Sequence, residues 1–281
     1  MEHVNTPPSD LPESTVLSVE RDGHVAVLWL DRAEKRNAMG TELWVDLPVI
    51  MDALGADPDV RAIVIAARGP AFSVGLDLME FGPKLLGNPP QNATDRAALL
   101  HQIKVMQDTF TSIARNPKPV VAAVHGYCLG AGVDLITAGD IRVAADDSIF
   151  SVRETRIAMV ADVGTLQRLP HIIDPGRVAE VVFTGKDFPA SEAHEMGLVT
   201  HVYPDAESTH KGARELAQTI AANSPLAVQG AKQVLRATEG KSVDDALDYV
   251  ALWNTSFLHS ADLMEAATAF LEKRDPEFKG E

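Results

Sequence analysis

Three acidic residues in the middle of the chain have apolar neighbours. Asp134 lies within VDLI, Glu154 follows IFSVR, and Asp162 lies within VADVG. Carboxyl groups are rarely buried unless they are paired with a cation or take part in chemistry. A helix cap or an ion pair would explain any one of them alone, since Arg153 and Arg156 flank Glu154. Three such acids close to a glycine-rich turn together favour a role in proton transfer.

Two glycine-containing turns each follow an apolar, strand-like run. One reads FSVGLDL at residues 72–78, and the other reads HGYCLGAG at residues 125–132. Glycine lets the backbone pass close to a ligand, and a helix that begins near Ala131 would point free N–H groups at that position. We therefore nominate the N–H groups of Leu76 and Ala131 as a pair of donors to a developing oxyanion. Ordinary strand-to-helix turns have the same spacing, so both interpretations are open from the residues alone.

The sequence disfavours several other kinds of site. Ser73 lacks the first glycine of the G-x-S-x-G nucleophile elbow, because Ala71 occupies that position. The nine histidines show no metal-ligand spacing, and residues 176–186 lack the spacing of a P-loop. We therefore expect neither a serine nucleophile nor a bound metal.

Acidic residues dominate the charge, with 40 Asp and Glu against 25 Lys and Arg and a formal net charge of −15. This excess argues against nucleic acid and against an anionic membrane surface as partners. No apolar run approaches the roughly 18 residues of a membrane span. The first fifteen residues are not typical of a targeting peptide, and the last residues do not form a peroxisomal signal. We expect a cytoplasmic protein.

Basic residues cluster at two places in this acidic chain. Arg32, Lys35 and Arg36 follow the first predicted hairpin, and Lys273 lies near the C-terminus beside Arg274. Each cluster is a candidate phosphate contact, although a solvated surface would explain it equally well.

The pattern of apolar residues predicts an α/β core followed by helices alone. Residues 16–30 predict a hairpin, Thr41 is a candidate cap for the next helix, and residues 82–95 predict a mobile loop. Beyond residue 205 every predicted element is a helix, at residues 206–222, 225–238, 243–259 and 261–273. We divide the chain into a disordered lead (1–15), a core (16–204) and a C-terminal helical domain (205–281).

Five ordered segments resemble the crotonase, or enoyl-CoA hydratase/isomerase, superfamily. They are DRAEKRNAM at 31–39, AFSVGLDL at 71–78, HGYCLGAGVDL at 125–135, VFTGKDFPASEAHEMGLV at 182–199 and AFLEKRDPEF at 269–278. The resemblance implies a spiral of repeated strand–strand–helix units and an oxyanion hole that holds an acyl-CoA thioester. It also implies a homotrimer, or a hexamer as a dimer of trimers, built with the C-terminal helices.

The acids resemble those of one branch of the superfamily, the 3,5-to-2,4-dienoyl-CoA isomerases. Hydratases usually carry Glu where Asp134 stands and Pro or Gly where Asp162 stands. By this resemblance, Glu154 would take a proton from C2, Asp134 would deliver one to C6, and Asp162 would assist Glu154 by a hydrogen bond or by its charge. Ala131 stands where the superfamily usually has a third glycine, and Arg156 would weaken Glu154 as a base if it faced the pocket.

The resemblance also implies a substrate-binding set. It consists of Arg32, Lys35, Arg36, Ala38, Ser73, Gly75, Asp77, Leu78, Gly130, Phe270 and Lys273. No separate cofactor is expected, because CoA is part of the substrate, and Lys273 could come from a neighbouring subunit. The alternatives are a hydratase or a 3-to-2-enoyl-CoA isomerase on the same scaffold and, in a different class, a non-catalytic or RNA-binding protein with this fold.

Overall fold

The computed structural model describes residues 11–85, 87 and 89–281. Residues 1–10 of the predicted lead, and two residues of the predicted loop, Leu86 and Asn88, lie outside the described residues. Residues 11–15 depart from the prediction of disorder. The Thr15 hydroxyl donates to the Glu42 carboxylate at 2.8 Å, and Leu11 packs against the core.

Nine strands in the described part of the chain form two sheets. They are β1 (Leu17–Asp22), β2 (Val25–Leu30), β3 (Ala62–Ala67), β4 (Val120–Val124), β5 (Tyr127–Leu129), β6 (Ile141–Ala145), β7 (Ile149–Ser151), β8 (Phe188–Pro189) and β9 (His201–Tyr203). The large sheet has the order β1-β2-β3-β4-β6-β9 and is parallel except for the predicted β1–β2 hairpin. The small sheet has the order β5-β7-β8.

Eleven α-helices in the same described residues pack around the sheets. They are α1 (Thr41–Ala56), α2 (Leu78–Leu85), α3 (Ala93–Arg115), α4 (Ala131–Ala138), α5 (Thr165–Arg168), α6 (Pro175–Thr184), α7 (Ala190–Glu195), α8 (Ala206–Ala221), α9 (Pro225–Thr238), α10 (Val243–Phe257) and α11 (Ala261–Glu272). Short 3₁₀ helices span Ala33–Lys35, Glu154–Ile157 and Leu169–His171.

The chain follows the predicted spiral, in which a long strand leads into a short strand and then a helix. Strand β4 reaches Gly126, which has φ +56°, and the chain turns there into β5 and then α4. Bridges between Ser73 and Cys128 and between Met39 and Leu76 extend the short layer beyond its named strands. This second layer brings the turns of successive units side by side, and the α/β spiral prediction is confirmed.

The large sheet is buried on both faces, which explains the continuous apolar runs of its strands. In β2, Val25, Val27 and Trp29 face α8, while the alternate residues face the larger core around α1, α3 and α4. Helix α8 presents small side chains to the sheet, including Ala213 and Ala217. Because α8 packs on the sheet, core packing continues beyond residue 205, the predicted domain boundary.

Two local predictions are wrong. Thr41 is the first residue of α1, and Gly40 occupies the cap position without a side chain to accept a hydrogen bond. The Glu80 carboxylate accepts the Thr41 N–H at 3.0 Å in its place. Residues 78–85, part of which the predicted loop covers, are helical although Pro83 lies within them. The Asp77 carboxylate accepts the N–H groups of Met79 and Glu80 and so caps this helix.

The C-terminal helices form as predicted and carry many exposed apolar side chains. Leu247, Leu252 and Met264 are 59–69% exposed, and Phe270 is 82% exposed. An ion pair fixes α9 to the sheet: Lys232 Nζ lies 2.6 Å from Asp140 Oδ2 and also donates to a main-chain carbonyl. None of the helices in the described residues has the length and apolar character needed to cross a membrane.

Lys232→Ala should destabilise the protein, because it removes a buried ammonium group that pairs with Asp140 and leaves the buried Lys118 carbonyl without its donor. We expect a loss of about 2–3 kcal/mol in the free energy of unfolding, measured by urea denaturation. Lys211→Ala is the matched control, since its surface pair with Glu215 spans 3.8 Å and contributes at most about 1 kcal/mol. Equal stability of the two variants would contradict the assigned role of Lys232.

Candidate active site

A cavity of about 800 Å³ opens where the short layer meets α2, α3 and α4. The cavity contains the three predicted acids, Asp134, Glu154 and Asp162, and both nominated amide donors, Leu76 and Ala131. One wall is apolar and comes mainly from the helices, with Trp44, Phe81, Leu99, Ile103 and Met106. The structure therefore brings groups from five separate segments of the chain together in one pocket.

The two glycine turns lie against each other. Gly75 has φ +85°, and a Cβ there would be 2.7 Å from the Leu129 carbonyl oxygen and 3.3 Å from the Ala131 nitrogen. Only glycine allows this approach, which brings the Leu76 and Ala131 amides to the same side of the pocket. Within residues 11–85, 87 and 89–281, neither of these N–H groups has a hydrogen-bond acceptor. Two unpaired donors on one rim suit an oxygen that gains negative charge.

Hydrogen bonds from buried residues hold the first turn in place. The Ser73 hydroxyl donates to the Asn37 carbonyl at 2.7 Å and accepts the Gly75 N–H at 3.0 Å. The Met39 N–H donates to the Gly75 carbonyl at 2.8 Å, and the Asp77 N–H donates to the Met39 carbonyl at 3.0 Å. Leu76 is thus held from both sides with its own N–H left unpaired.

Asp134 is fully buried on the first turn of α4. Its Oδ1 accepts the Thr165 N–H at 2.5 Å, while Oδ2 has no hydrogen-bond partner among the described residues. Burial raises the pKa of Asp134 to about 6, against the opposing effects of the Thr165 hydrogen bond and the Arg168 charge. Near neutral pH this carboxyl can exist in both protonation states.

Glu154 lies beside the second glycine turn. A Cβ on Gly130 would be 3.3 Å from Glu154 Oε1, and Gly130 has φ +52° and ψ −119°, a conformation that L side chains rarely adopt. Glu154 Oε2 is buried and has no partner in the described part of the chain. Burial, followed by the charge of Asp134, raises the pKa of Glu154 to about 7. The missing Cβ of Gly130 lets this carboxyl lie against the backbone of the turn that carries the Ala131 N–H.

Asp162 is the third acid, and it acts on the others through its charge. Its negative charge contributes to the raised pKa of both Asp134 and Glu154. Burial raises the pKa of Asp162 itself. In the residues that the structure describes, no hydrogen bond joins Asp162 to Glu154, so of the two predicted modes of assistance only the charge is present.

Six members of the predicted binding set lie at one of two cavities. Gly75, Leu78, Gly130 and Arg36 line the large cavity, whereas Arg32 and Ala38 line a neighbouring one of about 240 Å³. Lys35, Phe270 and Lys273 are exposed and lie outside both cavity linings, the last two at the end of α11.

Three members of the predicted set have contacts within the protein. Ser73 is completely buried, and its hydroxyl serves the turn described above. Arg32 Nη1 lies 2.7 Å from Asp77 Oδ2 and donates to the Ala38 carbonyl at 3.0 Å. Asp77 is 6% exposed and caps α2. These contacts hold the rim of the pocket together, and substrate contact by Ser73, Arg32 and Asp77 stays a prediction.

The structure settles the direction of Arg156. Its guanidinium lies 3.5 Å from Asp187, its side chain is 55% exposed, and it is not among the residues that line the cavity. Arg153 also pairs with Asp187, at 2.6 Å, but lines the pocket.

Sequence reasoning missed several pocket residues. The Thr165 N–H is a backbone group, so the residue type does not predict its role. Arg153 was interpreted as a salt-bridge partner of Glu154. The apolar wall of α3 was visible only as the helical spacing of Leu99, Ile103 and Met106. No group of three or more His, Cys, Asp or Glu residues within the described residues is arranged to hold a metal.

A spiral of strand–strand–helix units with paired amide donors over buried carboxyls defines the crotonase class of acyl-CoA enzymes. The chain matches the family model described as Enoyl-CoA hydratase/isomerase over residues 20–281, and it belongs to this family. The family prediction is therefore confirmed.

Individual relatives have more specific names. The chain is 43% identical to Delta(3,5)-Delta(2,4)-dienoyl-CoA isomerase, mitochondrial, of Rattus norvegicus, over 90% of this chain and 78% of the relative. It is 39% identical to the peroxisomal Delta(3,5)-Delta(2,4)-dienoyl-CoA isomerase of Arabidopsis thaliana, over 94% and 95% of the two chains. The crystal structure of an enoyl-CoA hydratase from Bacillus anthracis superimposes with a TM-score of 0.86 at 30% identity, covering 95% of this chain and all of that one.

Burial of the two carboxyls should make the site a source of instability at high pH. Because the pKa values of the two carboxyls are raised, the native state binds more protons than the unfolded state. The stabilisation that follows from this proton binding is complete below about pH 4 and is lost as the pH rises through 6 to 7. Asp134→Asn and Glu154→Gln should therefore each raise the free energy of unfolding at pH 8 by about 2–3 kcal/mol, and much less at pH 4.

Urea denaturation at the two pH values measures this difference. Asp52→Asn, at an exposed position of α1, is the control and should change little at either pH. If the Asp134 and Glu154 variants are less stable than the wild type at pH 8, burial of these ionised carboxyls does not lower the free energy of unfolding, and the prediction is wrong.

Proposed function

We propose that the protein isomerises 3,5-dienoyl-CoA to 2,4-dienoyl-CoA by proton transfer between carbons. The observation that carries this proposal is the placement of two buried carboxyls with raised pKa, Asp134 and Glu154, in one pocket with two unpaired amides. Relatives that are 39–43% identical over most of the chain bear the name of this activity.

We assign the steps of the reaction to groups that line the pocket. The thioester oxygen accepts the Leu76 and Ala131 N–H groups, and Glu154, beside Gly130, removes a proton from C2. The electron pair conjugates through the two double bonds, with negative charge shared between the thioester oxygen and C6. Asp134 then donates a proton to C6, which leaves double bonds at C2 and C4. One proton leaves and one arrives, so no other reactant is required.

Both carboxyls titrate near neutral pH. Because the pKa of Glu154 is about 7 and that of Asp134 about 6, Glu154 is the more often protonated of the two. The proposed direction uses the other arrangement, with Glu154 ionised and Asp134 protonated. We keep this assignment because position takes precedence over pKa in choosing a base, and Glu154 is the carboxyl next to the amide pair. The charge of Asp162 makes Glu154 a stronger base.

We propose that the CoA phosphates contact Lys35 and Arg36 at the mouth of the pocket. In a chain of net charge −15, a local basic cluster is needed to hold an anionic ligand. Phe270 and Lys273 would join the site from a neighbouring subunit of a trimer or a dimer of trimers, in keeping with the exposed apolar surface of α10 and α11. A cytoplasmic location is also a prediction, whereas the names of the relatives place them in mitochondria or peroxisomes.

An absorbance assay with identification of the product tests the function. The wild type should convert a 3,5-dienoyl-CoA into a conjugated 2,4-dienoyl-CoA, and Glu154→Gln and Asp134→Asn should each lower kcat about 10²–10⁴-fold. Asp52→Asn should keep wild-type kcat. A hydrated product from a 2-enoyl-CoA, without any conjugated product from a panel of 3,5-dienoyl-CoA chain lengths, would reject the isomerase in favour of a hydratase.

A further inference from the structure

The turn from Asp162 to Thr165 serves both catalytic acids at once. It carries the Asp162 carboxyl, whose charge acts on Asp134 and Glu154, and the Thr165 N–H, which binds Asp134 at 2.5 Å. The turn depends on Gly164, which has φ +137°. A displacement of this short segment would therefore change the surroundings of the whole acid group.

Helix α3 holds this turn through two residues that are one helical turn apart. Gln107 Nε2 donates to the Asp162 carbonyl at 2.6 Å. Arg168 Nη2 donates to the Thr111 hydroxyl at 3.1 Å, and its Nη1 donates to the Val163 carbonyl at 3.3 Å. The main chain of the turn is thus attached to α3 on both sides, and neither Gln107 nor Arg168 is among the residues that line the cavity.

Arg168 also brings a positive charge close to the acids. Its side chain packs on Gly164, where any Cβ would collide with the guanidinium. No carboxylate in the described residues lies within 4 Å of this guanidinium, although its charge lowers the pKa of Asp134. The charge of Asp162 raises the pKa of Asp134, and the charges of Asp134 and Asp162 raise the pKa of Glu154. The charge of Asp134 also raises the pKa of the buried Cys128 thiol.

We propose that Gln107 and Arg168 are positioning residues that clamp the Asp162–Thr165 turn to α3 and thereby hold the acid group in its catalytic arrangement. The inference rests on the proposed function for its kinetic consequence. The clamp itself is a property of the protein without substrate, so it can be tested separately.

The test uses Gln107→Ala, Arg168→Gln and Arg168→Lys, with exposed neighbours as controls, Asp108→Ala and Gln167→Ala. Loss of one clamping hydrogen bond should lower kcat about tenfold and leave KM within about twofold, because the effect falls on the acids and not on CoA binding. Arg168→Gln should also move the alkaline limb of the pH–rate profile to higher pH, since Asp134 loses a stabilising cation. Arg168→Lys keeps the charge and should leave that limb in place.

Amide hydrogen exchange of the full-length protein without substrate gives the second measurement. The Thr165 N–H should exchange at least about tenfold faster in Gln107→Ala and Arg168→Gln than in the wild type and the controls. If Arg168→Gln does not fold, Gln107→Ala and Arg168→Lys provide the same comparison. Exchange and kcat within twofold of the wild type in these variants would overturn the clamp. Absence of wild-type isomerase activity would instead reject the proposed function, and the exchange data would still decide the clamp.

Discussion

The site depends on the close approach of a carboxyl group to the backbone of a glycine turn. Gly130 has no Cβ, and Glu154 Oε1 lies where such an atom would touch it. Gly75 makes the corresponding approach to the Ala131 nitrogen from the other side. The substitution of alanine for a third glycine at position 131 keeps the N–H, because only the side chain differs. The short second layer of the spiral lies where these two turns meet.

The burial of the acid group favours its reactivity and does not favour folding. Two carboxyls that each leave one oxygen without a partner are held in an apolar cavity, where burial opposes their ionisation. The surrounding structure supplies what holds them: a backbone N–H for Asp134, and a turn fixed by α3. Ser73, Arg32 and Asp77 act on the opposite rim in a similar way, by holding the first amide donor in place.

Much of this arrangement, but not all of it, can be predicted from the sequence. Apolar runs and glycine positions predicted the hairpin, the parallel strands and the C-terminal helices, because local patterning and burial agree in them. Helix α2 was not predicted, because its stability comes from the Asp77 cap and from packing, which outweigh the effect of Pro83. The acids were found from their apolar neighbours. The partners of Arg32, the direction of Arg156 and the contacts of Gln107 join residues far apart in the chain, and no local pattern specifies such contacts.

Exchange of substrate hydrogens with deuterated water tests the central claim, which assigns C2 to Glu154 and C6 to Asp134. Incubation of each variant with a 3,5-dienoyl-CoA, followed by NMR of the recovered thioester, locates the deuterium. We expect Asp134→Asn to exchange at C2 while forming almost no 2,4-diene, and Glu154→Gln to do neither. Deuterium at C2 with Glu154→Gln at the wild-type rate, or at C6 with Asp134→Asn at that rate, would contradict the account.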